Sequence, residues 1–472
     1  MPPALVLAMM VGWLSQGCGR TSLLLPGAEA SRATDAGDST VMSTGGATSE
    51  PMTNGGCPNG FTACGKGAAT RCFDLTRAPD HCGECASACA PGIACRASKC
   101  QQYQCKGALS FKALPEISTM LPGDLTSDTV PISYPSYRSV LGDFNGDGIL
   151  DFVGLPGILA PMTLLLGKGD GTFQEHPLAS AFVASWMAAA ADLNGDGRLD
   201  LVTIAQDQAA VTVRLGNGDP VGLFEPATVY PTPYPPNNLV LGDFDDDGRV
   251  DFVAAGADYS AGGDKQLSLW RGAAGGTFSE FGQIPVRDSG AFLVAADWNR
   301  DGALDLLYGS SILRMVLGRG DGTFDGEIAC GIALSTGLSG NAIADFDRDQ
   351  KLDLAVRATG IFLGMNACNF TTLVSMPGAW DATAEPLGVA DLNGDGHPDL
   401  VTNASSSPSE ISVYLGDGRG GFAAPSTFPS IEPQPGWATD GVYLMGDLNN
   451  DTKLDIIIIR AEGWQVLLNT CR

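Results

Sequence analysis

The sequence predicts an all-β protein whose main body is a seven-bladed β-propeller, joined to a small disulfide-rich module. Three observations carry that expectation. An acidic nonapeptide begins at Asp143, Asp192, Asp243, Asp297, Asp345, Asp391 and Asp447, at intervals of 49, 51, 54, 48, 46 and 56 residues, a period that belongs to propellers and solenoids. Between copies stand "LLLGKGDGTF", "VRLGNGDPVGLF", "LWRGAAGGTF", "MVLGRGDGTF", "IFLGMNACNF" and "VYLGDGRGGF", each an apolar run, a Gly-rich turn and a Phe, as hairpins require. No stretch sustains helical periodicity.

In chain order, residues 4–14, "ALVLAMMVGWL", are too short to span a bilayer but suit a signal-peptide core, so 1–18 is read as an export signal. The following "SQGCGR" resembles the lipobox of bacterial lipoproteins, with Cys18 as the lipidated residue. It departs from that pattern in lacking a preceding basic residue and in placing Leu14 four residues before the cysteine; a plain cleaved signal is the alternative. Residues 19–56 are Ser, Thr, Gly and Ala with few large apolar side chains, the composition of a disordered tether. Residues 57–105 hold Cys57, Cys64, Cys72, Cys82, Cys85, Cys89, Cys95, Cys100 and Cys105, a disulfide framework in an exported chain. Their "HCGEC" and closing spacings resemble modules related to stigma-specific proteins, a family that supplies no chemistry to carry over.

The propeller is assigned to 107–472. Each period fits four strands: the run into the acidic loop, the run out of it, the run before the Gly-rich turn and the run after the Phe. Seven such units close into a ring with short protected edges, whereas a solenoid would leave bare ends. The seventh copy stops one strand short, after "WQVLLNTCR". The segment "GALSFKALPEIS" at 107–118 resembles "DGTFQEHPLAS" at 170–180, so it is expected to complete the last blade.

Numbered from the first Asp, positions 1, 3, 5 and 9 of each loop carry oxygen-bearing side chains. These are Asp143, Asn145, Asp147 and Asp151; Asp192, Asn194, Asp196 and Asp200; Asp243, Asp245, Asp247 and Asp251; and Asp297, Asn299, Asp301 and Asp305. The last three loops offer Asp345, Asp347, Asp349 and Asp353; Asp391, Asn393, Asp395 and Asp399; and Asp447, Asn449, Asp451 and Asp455. Calcium takes 6–8 oxygen ligands, and the first half of the pattern matches the EF-hand loop, with position 7 giving its backbone carbonyl. Here the last Asp opens a strand rather than sitting in a helix. Up to seven Ca2+ ions are expected. Gln350 and Thr452 stand where Gly would relieve a positive φ, so those two loops are expected to bind more weakly. With their Gly-rich turns, the loops resemble FG-GAP and VCBS-type repeats, shared by bacterial surface proteins and the propeller of integrin α subunits. The resemblance covers 107–472 and implies a calcium-bearing propeller used in extracellular recognition.

Acidic residues outnumber basic ones 53 to 27, for a net charge of -26, which excludes the counterion-releasing chemistry of nucleic-acid binding. Of three histidines, His81 lies in the cysteine module, His176 in an outer strand and His397 at loop position 7. No nucleophilic triad, phosphate loop or zinc motif is visible. The expected role is therefore binding or adhesion by an exported protein, either secreted or anchored to the bacterial outer membrane only through lipid, with an extracellular protein or carbohydrate as partner. A carboxylate-based carbohydrate-active enzyme and a structural envelope component are the alternatives; Asp381, Glu385 and Asp264 are the nearest acidic candidates opposite the calcium face.

Two finer expectations concern disulfides and faces. If Cys57 through Cys100 pair among themselves, Cys105 should meet Cys471 where the ring closes, and Cys330 should meet Cys368 between the outer edges of blades four and five. The alternative pairs Cys105 within its module. Loops after strands one and three share one face, so the irregular segments gather on the other, where recognition loops belong. They bring Tyr134, Tyr137, Trp186, Tyr230, Tyr234, Trp380 and Trp437, whose rings would stack on sugars or anchor a protein.

Overall fold

The computed structural model describes Cys105 and most of 108–118, then residues 139–471 except 155–162, 177–184, 206–208, 219–222, 258–263, 288–291, 310–311, 334–340, 357–358, 367, 378–385, 404–409, 430–441 and 461–462. It also places short strands at Ser49–Glu50, Thr62–Cys64 and Arg71–Phe73, which form one sheet, and at Ala94–Arg96 and Lys99–Gln101, which pair with each other. The first of these puts two residues of the expected tether against the cysteine module. Residues 1–18, Cys18 among them, lie outside the described part.

All described elements are strands, and those from Phe111 onward are arranged as seven antiparallel sheets in a ring. Blade one runs Val140–Gly142, Asp151–Gly154, Thr163–Gly167, Phe173–His176, and blades two to six repeat that order of four consecutive strands. The first strand of each blade is innermost, and Val442–Gly446 of blade seven lies beside Val140–Gly142 of blade one, closing the circle. Blade seven takes its outer strand from the start of the domain: Phe111–Ala113 pairs with Gly463–Asn469, Leu467 opposite Ala113 and Asn469 opposite Phe111, and Ile117–Ser118 extends the edge. The ring predicted from the missing strand is therefore the one found. Cys105 is bonded to Cys471 with Cα atoms 5.7 Å apart, and Cys330 to Cys368 at 4.6 Å, as the counting of cysteines predicts.

Strand periodicity explains where the core sits. Successive side chains of the second strand face opposite neighbours, so Phe152 packs toward blade seven with Leu444, Ile457 and Trp464, while Val153 packs toward blade two with Ala188 and Leu201. Each junction between adjacent blades holds its own apolar layer, seven in all. Burying apolar area at roughly 25 cal/mol per Å² stabilises every blade only through contact with its neighbours. One of these layers claims Tyr230. It is 8% exposed and packs edge-on against Phe252, Trp270 and Phe278, with the Phe278 N–H donating to its hydroxyl oxygen. Tyr230 is a core residue between blades two and three, which corrects its assignment to a ligand surface.

Candidate metal centre

Each acidic loop is first a backbone structure. In loop one the Asp143 Oδ1 accepts the N–H groups of Gly146 (2.7 Å) and Asp147 (3.1 Å), and Oδ2 accepts that of Gly148 (2.8 Å). Asp147 Oδ1 accepts the N–H of Ile149, and Asn145 Oδ1 that of Asp147. Asp N-cap-like bonding of this kind winds the chain tightly around its own carboxylates. The winding needs left-handed backbone at two positions. Position 6 is Gly148, Gly197, Gly248, Gly302 and Gly396 in five loops, and Gln350 (φ 70°) and Thr452 (φ 73°) adopt the same conformation in the other two. At about 1–2 kcal/mol each, these residues carry the strain the sequence predicts for them. Position 4 is also left-handed, in Asp246, Arg300, Arg348 and Asn450 as well as in three glycines; the recurrence of Gly, Asp and Asn there was the signal for it.

Position 9 has a task beyond that of a ligand. Asp151, Asp200, Asp251, Asp305, Asp353, Asp399 and Asp455 are all 0% exposed. In each, Oδ2 accepts the N–H of loop position 2, at 2.7 to 3.0 Å. Oδ1 accepts the N–H at the end of the third strand: Gly167, Gly216, Gly272, Gly318, Gly364, Gly416 or Asn469. Those glycines are required sterically, because a Cβ on any of the six would overlap the carbonyl oxygen of loop position 8. The last Asp thus latches the loop to the strand two places away. A carboxylate oxygen has two lone pairs, so each retains one for a cation, except Oδ2 of Asp151, which also accepts the Asn145 N–H at 3.3 Å. Burial, only partly opposed by these two bonds, pushes the carboxyl to about 7 in Asp151, Asp200, Asp251, Asp305, Asp353 and Asp455, and to about 8 in Asp399. Burial also raises Asp345, to about 6.

Adjacent loops are coupled through the backbone. The N–H of Gly171 in the blade-one turn donates to the Leu448 carbonyl of loop seven, that of Gly322 to Phe244 of loop three, and that of Gly420 to Phe346 of loop five. The acidic loops and Gly-rich turns therefore share one face, as the strand order predicts. At the junction of blades six and seven, Asn469 Nδ2 donates to the Leu392 carbonyl and the Cys105 N–H to the Asn393 carbonyl. The cysteine clasp is thus part of loop six's surroundings.

The donor sets fit a hard divalent cation. Asp243, Asp245 and Asp247 each bring a carboxylate oxygen within 4.8 Å of the others, and so do Asp345, Asp347 and Asp353. Asp245 Oδ1 is buried with no hydrogen-bond donor against it. All side-chain donors are oxygens, which suits calcium at roughly 2.3–2.6 Å better than softer metals. His397 does not add a ring ligand: its backbone N–H donates to Asp395, while the ring lies 3.5 Å from an Arg348 nitrogen.

The opposite face is described in part. Tyr234 is half-buried in the connection from blade two to blade three, and its carbonyl accepts the Thr232 hydroxyl. Trp186 is the second residue of the inner strand Ser185–Ala191 rather than part of a connecting loop. Tyr134, Tyr137, Trp380 and Trp437, with Asp381 and Glu385, fall outside the described residues; Asp264 is exposed at the start of a blade-three strand.

Against known families, the model described as FG-GAP-like repeat matches residues 143–203, 192–254 and 391–458, each span running from one acidic loop through the acidic loop of the next blade. No curated protein matches the chain.

Proposed function

We propose, from the premise that the chain is an FG-GAP-repeat β-propeller, that it is an exported, calcium-stabilised recognition or adhesion protein. The observation that carries this reading is the division of labour between the two faces. One face is consumed by acidic loops and Gly-rich turns locked to each other, which leaves the irregular connections of the other face free to vary on a rigid ring. Two disulfides support an oxidising compartment, secreted or lipid-anchored at Cys18. The most buried carboxylates are committed to backbone N–H groups of their own blades, which supports binding over carboxylate catalysis.

The partner is an extracellular protein or carbohydrate, engaged through Tyr234, Trp380 and Trp437. Screening the protein against glycan arrays and envelope extracts, with and without calcium, identifies it. Replacing those three residues by Ala should abolish capture while leaving the calcium-induced rise in Tm unchanged. Capture lost instead by Ala at Asp147 or Asp301, in a protein that still folds, would reverse the assignment of faces.

A further inference from the structure

Aligning the seven blades by their third strands exposes a paired departure in one of them. The residue before the strand-ending position is Leu166, Leu215, Leu317, Leu363, Leu415 and Leu468 in six blades, and Arg271 in blade three. In three junctions that Leu packs under the turn glycine of the next blade: Leu468 under Gly171, Leu215 under Gly276, Leu363 under Gly420. At the junction of blades three and four, Phe281 fills this space beneath Gly322, and the guanidinium of Arg271 lies over its ring, 5.1 Å from the centroid. Freed from that packing role, Arg271 pairs through Nε with Oδ2 of Asp245, whose side chain is only 5% exposed. Asp245 is one of the two position-3 residues that are Asp instead of Asn.

We propose that Arg271 is a built-in counter-cation for loop three, which makes this loop hold its shape without calcium while loop five depends on the ion most. Asn at position 3 donates its Nδ2 to the position-5 carboxylate, at 2.9 Å in loop one and 2.8 Å in loop four. An Asp there removes the donor and adds a charge. In loop three the four carboxylates at positions 1, 3, 5 and 9 are joined by the exposed Asp246 at position 4, and two of them pair directly with guanidinium groups, Asp245 with Arg271 and Asp247 with Arg249 (2.8 Å). Loop five has carboxylates at the same four positions, with Lys351 on Asp349 (2.7 Å), Arg348 at position 4 turned to the His397 ring (3.5 Å), and Leu363 where the Asp245-pairing arginine of loop three would stand. Arg271 uses only Oδ2; Oδ1 stays buried with no hydrogen-bond partner, in a loop where Asp243, Asp245 and Asp247 each bring a carboxylate oxygen within 4.8 Å of the others, so the arginine orients a ligand without engaging both its oxygens.

The inference rests on the calcium reading of the loops, and hydrogen exchange resolves the two. Exchange is followed in the full chain, in chelator and in millimolar calcium, on peptides spanning 243–251 and 345–353. Chelation should speed 345–353 by about tenfold and change 243–251 by less than about twofold, the scale of a partly buried ion pair. In Arg271→Leu, which restores the residue of the other six blades, 243–251 should become as chelator-sensitive as 345–353. The double variant Asp245→Asn with Arg271→Leu should return it to the behaviour of 192–200, which has Asn194 and Leu215. Equal acceleration of both wild-type peptides overturns the inference, and that comparison needs no variant. If calcium affects neither peptide, the metal reading fails, and Arg271→Leu still decides: faster exchange of 243–251 in chelator upholds the counter-cation, unchanged exchange overturns it.

Discussion

Asp305→Ala separates what the last loop aspartate does for the backbone from what it does for a metal. Its Oδ2 accepts the Trp298 N–H at 2.9 Å and its Oδ1 the Gly318 N–H at 2.8 Å, both in buried surroundings. Orphaning a buried N–H costs about 1–3 kcal/mol, so the substitution removes about 2–6 kcal/mol from a folded state worth about 5–15. Burial pushes the Asp305 carboxyl up to about 7, so above that pH its removal also relieves an unfavourable charge, and the expected loss at pH 7.5 lies near the lower bound, about 2 kcal/mol. Asp301→Ala is the control. Its oxygens serve the part-buried Ala303 N–H and the exposed Asn299 amide, so in chelator it should lose no more than about 1 kcal/mol against the parent and show its larger loss relative to the calcium-bound form. Urea denaturation of the three proteins, in chelator and in saturating calcium, reads both terms. An Asp305→Ala protein as stable as the parent in chelator would refute the latch.

The raised carboxyls also set a pH dependence whose sign depends on the ion. Asp151, Asp200, Asp251, Asp305, Asp353 and Asp455 near 7 in the fold, against roughly 4 when unfolded, mean that the folded state holds more protons between those values. In chelator the Tm should therefore rise as pH falls from 8 to 5, whereas in calcium it should fall over the same range as protons displace the ion; parallel trends would contradict the assignment. Disulfide removal should be unequal: the chain-entropy relation gives about 6 kcal/mol for the 366-residue separation of Cys105 and Cys471 and about 4 for the 38-residue separation of Cys330 and Cys368, so serine pairs at the first should lower the urea midpoint more.

Repetition made the ring legible. Seven copies fixed the blade count, the missing strand fixed closure, and leftover cysteines fixed both bridges, because each is a property of order along the chain. Features set by register were harder to read. Tyr230 looks like one more aromatic of a Pro-rich connection, yet it stands opposite Val211 in the outer strand of blade two and so points into the layer of Phe252 and Trp270. The latch of position 9 required knowing that Gly167 and its counterparts lie beside the loop, some 16 residues on in blade one. Arg271 gains meaning only when the third strands are superposed and Asp245 is found across from it.

The Cys105 to Cys471 bridge also determines how the protein carries load. Tension entering the propeller at residue 105 and leaving at residue 471 crosses a single covalent link between Cα atoms 5.7 Å apart, so no strand lies in series with the pull. Once that bond is reduced, the same force acts on the pairing of Phe111–Ala113 with Gly463–Asn469, whose three residue pairs would open one after another from the end nearest the clasp, like a zip. In its oxidised form the ring is shielded from any tension applied between residues 105 and 471, and only a load entering elsewhere on its surface can reach the blades.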